Sequence, residues 1–175
     1  MKTSRFVTLL TFATAMGAAP LLAQDNVVAK EDKYARITIV YENSLEFTDF
    51  KDSYHSNERM VAGLEEEFNR YLKRTAAGIL PEGQSLTITF TDIDMAGDFE
   101  PWRGLDAHDI RIIKPIYPPR IKFTYTVTDA GGAVGQEGEE RLSDLSFQIT
   151  LGINRNDVFF YEQELMRSWM RKLRG

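Results

Sequence analysis

The stretch ERMVAGLEEEFNRYLKRTAAGILPEGQSLTITFT, residues 58–91, decides the fold, because its apolar period changes part-way along. Met60, Leu64, Phe68, Tyr71 and Leu72 recur every three to four residues, which predicts one apolar stripe on a helix over 58–77. Asn57 stands where an N-cap belongs, Gly78 where a helix stops, and Pro81 prevents continuation. Glu65, Glu66 and Glu67 precede Arg70, Lys73 and Arg74, an order that complements the helix dipole. From Leu86 the period becomes two: Leu86, Ile88 and Phe90 alternate with Thr87, Thr89 and Thr91. A threonine face opposite an apolar face suits a sheet covered by helix on one side and wet on the other.

Upstream, Ile37, Ile39 and Tyr41 alternate with polar neighbours, predicting a strand over 35–41. Downstream, a loop is expected from Asp92 to Asp109, with extended chain returning at 110–113. Pro115, Pro118 and Pro119 punctuate the next connection. Ile121, Phe123, Tyr125 and Val127 mark a strand over 120–128, Asp129 to Gly132 a turn, and a weaker strand follows, ending near 145–150. Tyr161, Leu165, Trp169 and Leu173 fall at successive i, i+4 positions of a closing helix. The order β-α-β-β-β-β-α predicts an α+β two-layer sandwich, a mainly antiparallel sheet with both helices on the face holding Ile37, Ile88 and Phe123.

The first 23 residues read as an export signal. Lys2 and Arg5 precede an apolar run from Phe6 to Met16, too short to span a bilayer, which needs about 20 residues. Cleavage after Ala19 would put Pro20 behind the scissile bond, so cleavage after Ala23 is expected, with Gln24 the new N-terminus. Residues 24–33 read as a flexible leader and 34–175 as a single domain. The expected location is the periplasm, with full secretion also open, and no membrane-spanning segment in the mature chain.

The chain has no cysteine. Disulfides, thiol nucleophiles, cysteine-ligated zinc and a lipoprotein anchor are therefore excluded. The formal charge is −5, and the signal segment holds basic residues but no acidic ones, so the remainder is more acidic still. That argues against a nucleic-acid partner, which needs a basic face.

Functional side chains are densest between Asp92 and Asp109. Asp92, Asp94 and Asp98, with His108 and Asp109, are the candidate ligand or metal residues. Hard cations take several carboxylate oxygens, so a divalent cation is one reading, although the spacing is not that of an EF-hand. Aspartates bonding their own backbone in turns are the simpler reading. If Asp92 and Asp94 continue the parity of Phe90 they face the apolar layer and need partners, for which Arg103 and Arg111 are nearest in sequence. His108, oriented by Asp106 or Asp109, is a candidate general base, but there is no G-x-S-x-G nucleophile, and nothing places Ser143 near it. Met166, Trp169 and Met170 have the spacing of a packed helix face, and Arg167, Arg171, Lys172 and Arg174 of a helix end. No catalytic residue and no cofactor are assigned.

Several short pieces carry a resemblance: residues 80–86 (LPEGQSL), 91–97 (TDIDMAG), 47–49 (FTD), 109–111 (DIR), 117–120 (YPPR), 142–144 (LSD), and Tyr161-Glu162 followed by Trp169. They resemble the proteobacterial exported family catalogued as domain of unknown function 3016. Met95 stands where that pattern has leucine, a swap that conserves volume. The resemblance implies the envelope of a Gram-negative bacterium and carries over no activity, cofactor or catalytic residue. Two functions remain open. One is a non-enzymatic binding or accessory module holding an envelope protein or small ligand at the sheet edge or the 92–109 loop. The other is a metal- or histidine-dependent hydrolase with its site in that loop.

Overall fold

Asn57 starts the first helix by accepting the Met60 amide at 3.2 Å, in a computed structural model that describes residues 34–104, 109–150 and 156–173. The proposed signal peptide and leader, and His108 and Asp106 with them, lie outside the described residues. Helix α1 spans Glu58–Ile79 and buries Val61, Leu64, Phe68, Tyr71, Leu72 and Ala76. Gly78 falls inside the last turn, not beyond it. The helix ends because Pro81 follows and because Arg36 reaches across to accept no proton but to donate to its terminal carbonyls. The Arg36 guanidinium bonds Ala77 and Leu80 carbonyls at 3.2 Å each, supplying the cation that the last turn of α1 lacks.

The chain is an α+β sandwich. Strands β1 (Ile37–Tyr41), β2 (Ser85–Asp94), β5 (Arg120–Thr128) and β6 (Val134–Ser143) form one sheet in the order β1-β2-β5-β6. Between β2 and β5, β3 (Asp98–Phe99) and β4 (Arg111–Ile112) make a small antiparallel pair. The β1–β2 pairing is parallel, with α1 as the crossover that parallel neighbours require, and the other two pairings of the large sheet are antiparallel. Helix α2 spans Phe160–Leu173. Ile37, Leu86, Ile88, Phe90, Ile121 and Phe123 from the sheet join Phe68, Leu72, Phe159, Met166 and Trp169 in one core. Trp169 stands edge-on to Phe123 at 4.6 Å, and the Tyr71 hydroxyl donates to the Gln163 carbonyl at 3.1 Å, joining the helices. On the opposite face Thr87 pairs with Thr126 and Thr89 with Thr124, a wet surface.

Two expectations need correction. The strand expected to end near 145–150 ends at Ser143, and Phe147 enters the core side from a 3-10 turn, Phe147–Ile149. Residues 92–94 are not loop: β2 runs on to Asp94 through a bulge between Phe90 and Asp92. One extra residue there, Thr91, places Ile93 and Met95 in the core and turns Asp92 and Asp94 to the wet face. They do not point into the apolar layer.

Among the described residues no helix is long and apolar enough to cross a membrane.

Candidate functional site

The far end of β2 gathers most of the polar chemistry. After Tyr41 the chain leaves the sheet for a 3-10 turn, Ser44–Glu46, then returns beside β2. There the Asp49 amide donates to the Ile93 carbonyl, and the Asp49 carbonyl accepts the Met95 amide, each at 3.0 Å. This return lays Thr48 and Asp49 against the last residues of β2.

Asp92 accepts the Thr48 amide at 2.8 Å, the Thr48 hydroxyl at 3.1 Å and the ammonium of its cross-strand neighbour Lys122 at 2.8 Å. Partial burial pushes its pKa up, but Lys122 and Thr48 outweigh that, so its carboxyl lies below the ordinary aspartate range. Asp94 pairs with its own cross-strand neighbour, Arg120, at 2.8 Å. Here burial, aided by the charges of Asp49 and Asp92, prevails over Arg120 and holds the pKa above the usual value. Asp98 accepts the amide of Phe99 at 2.7 Å, an aspartate serving the backbone beside it.

The two arginines nearest in sequence go elsewhere. Arg111 forks onto Asp49 at 2.6 and 3.1 Å, bonds the carbonyls of Lys51 and Gly97, and stacks 4.6 Å over the Phe99 ring. Arg103 pairs with Glu100, which also accepts the Lys114 ammonium and the Tyr117 hydroxyl. Lys114, with lesser help from Arg103 and Tyr117, holds the Glu100 carboxyl below its ordinary pKa, and burial and Glu100 together raise that of Tyr117. Asp109 is exposed and, among the described residues, has no hydrogen bond or ion pair to this cluster. So Asp92, Asp94 and Asp98 come together, Asp109 does not join them, and His108 lies outside the described residues.

The backbone at this corner tolerates one residue type. Gly97 has φ of 82°, and a β-carbon there would lie 2.6 Å from Ile113 Cδ1 and 2.9 Å from the Ile112 carbonyl. Its amide donates to the Tyr117 carbonyl at 3.0 Å, holding the chain after β4 against the corner. The result is an open polar cleft of about 210 Å³ whose walls include Asp49, Lys51, Asp94, Asp98, Tyr117 and Arg120.

Chemically this is a set of paired charges. Asp49, Asp92 and Asp94 each face a cation at hydrogen-bond distance, so at least one oxygen of each is already engaged. Among the described residues no three histidine or acidic side chains are placed to hold one metal ion. Calcium, magnesium, manganese, zinc or chelator is therefore expected to leave the melting curve where it is, since a ligand stabilises only by binding the native state. A large upward shift with one metal, abolished by Asp94→Asn, would establish a cation site instead.

From the sequence, Glu100 stands only among the charged side chains of the 92–109 loop, and Asp49 and Glu162 only within the family pieces, none of the three with a role at the site. Glu162 is the most legible of the three in hindsight. It lies four residues before Met166 and seven before Trp169, a carboxylate on the buried stripe of α2. The sequence pieces 47–49, 91–97, 109–111, 117–120 and 161–162, which looked scattered, contribute to this one corner.

No curated protein and no solved structure gives a significant match. Over residues 35–172 the chain matches the family described as Protein of unknown function (DUF3016), so it belongs to that family.

Proposed function

We propose that this is an exported envelope protein, cleaved after Ala23 and delivered to the periplasm of a Gram-negative bacterium. There it acts as a non-enzymatic binding or accessory module, with its partner or small ligand at the cleft beside the end of β2. The observation that carries the binding reading is the cleft itself, a polar recess of about 210 Å³ with Asp94, Asp98, Lys51, Arg120 and Tyr117 on its walls. Opposed charges held on a sheet end suit orienting a polar group. Asp49, Asp92 and Asp94 are each paired with a cation, which suits a binding or structural role better than proton transfer. The location rests on Lys2, Arg5, the short apolar run and Ala23.

Location is tested by osmotic shock. The mature protein is expected in the shock fluid with Gln24 first, and a chain retaining Met1, or one held in carbonate-washed membranes, would refute export. Binding is tested by photo-crosslinking in cells from Ile116, a cleft residue that is 70% exposed. Val134, 56% exposed at the other end of the sheet, is the control. An adduct from position 116 and none from 134 supports the cleft, and the reverse pattern moves the interface to the β6 edge.

A further inference from the structure

The buried carboxylates of this corner are neutralised in two different ways. Asp49 has Arg111 at 2.6 Å, and Glu100, 2% exposed, has Lys114 and Arg103. Glu162, 1% exposed in the first turn of α2, has no cation within bonding distance among the described residues. Its Oε1 accepts the amide of Ala96 at 2.7 Å, across 66 residues of sequence, and its Oε2 has no partner among the described residues.

The charged groups facing Glu162 are Arg111 on β4 and Asp49 on the returning segment. They are engaged with each other, so their fields oppose at Glu162. Asp94 and Asp98, on either side of Ala96, are turned to Arg120 and to the Phe99 amide. The Tyr71 hydroxyl of α1 bonds Gln163 and Arg167, and Tyr161 beside Glu162 packs on Phe147. A carboxylate removed from water with one oxygen unbonded is costly, and a proton removes that cost. The start of α2 and the Ala96 amide favour the charged form, but less strongly.

We propose that Glu162 is a proton-operated latch that fastens the start of α2 to the Ala96 corner at the end of β2. In the protonated state the clasp is closed and neutral, and ionisation loosens it. Burial, the dominant influence, raises the Glu162 pKa to about 7, above the Ala96 amide's opposing pull. In the unfolded chain a glutamate releases its proton near 4.3. Between those two pH values the native state holds the extra proton, so stability is full below the lower value, declines as pH rises, and is level above about 7. The docking of α2 then responds to acidity in the neutral range, where glutamate ordinarily does not titrate.

The test is thermal unfolding of the full chain from pH 5 to pH 8.5, wild type against Glu162→Gln. Glutamine keeps the carbonyl oxygen for Ala96 and cannot ionise. The two proteins are expected to differ least at pH 5, and the variant to melt progressively higher as pH rises, by several degrees at pH 8. The two proteins share every other ionisable group, so the difference isolates position 162. A difference independent of pH, or a variant less stable at pH 8, overturns the proposal. If the variant does not fold, the carboxyl-carbon resonance of Glu162 in labelled wild-type protein decides. A midpoint near neutrality supports the latch, and one below about 5.5 refutes it.

Discussion

Phe68→Ala is expected to cost about 3–5 kcal/mol, read as a lower urea midpoint with little change in slope. Phe68 is fully buried at the middle of α1, stacked on Phe159 at 4.8 Å and tilted against Phe90 at 5.8 Å. It is therefore the ring through which α1, the sheet and the segment entering α2 meet. Truncation empties a space bounded by three rigid elements, none of which can collapse alone. Since a domain of this kind holds about 5–15 kcal/mol in total, the variant should sit near the edge of folding. An unchanged midpoint would mean that the ring is not packed as described.

Arg111→Ala is expected to cost a similar amount, about 3–5 kcal/mol, by a different route. The substitution leaves the Asp49 carboxylate, 8% exposed, with only the longer 3.6 Å contact to the Lys51 ammonium in place of the fork, and strips the carbonyls of Lys51 and Gly97 of their donor. Arg111→Lys should recover little, because an ammonium is a single point and cannot span both oxygens, two carbonyls and the Phe99 face together. Asp49→Asn in the Arg111→Ala background should restore part of the loss by removing the stranded charge. If Arg111→Ala cost less than about 1 kcal/mol, the pair would be acting as a surface bridge and water must reach it.

The sequence made some of this legible and hid the rest for identifiable reasons. Helix α1 and the inner strands announce themselves because each buries a face of its own, so Leu64 and Phe68, or Leu86 and Ile88, repeat at the element's period. Strand β6 does not, since Gln136, Glu137, Gly138 and Glu139 are exposed and are held in place by pairing with β5. The inward reading of Asp92 and Asp94 extrapolated strict alternation across Thr91, and a bulge is the one device that breaks such counting. At the site, the aspartates of 92–98 stood out by density, but their partners did not. Asp49 meets Arg111 across 62 residues and Ala96 meets Glu162 across 66, separations at which neither period nor spacing carries information. Arg103 and Arg111 were closest along the chain, yet cross-strand register gave Asp94 to Arg120 and Asp92 to Lys122.

Strand β6 also bears on behaviour at high concentration. An outer strand of ten residues offers its free backbone groups to any other strand, and the nearest available one belongs to another copy of the same molecule. If two copies met antiparallel about Gly138, Glu137 of each would lie directly opposite Glu139 of the other on the same side of the joined sheet. Like charges in that position repel. The acidic residues that made β6 hard to recognise as a strand thus work against fibril growth from its open rim.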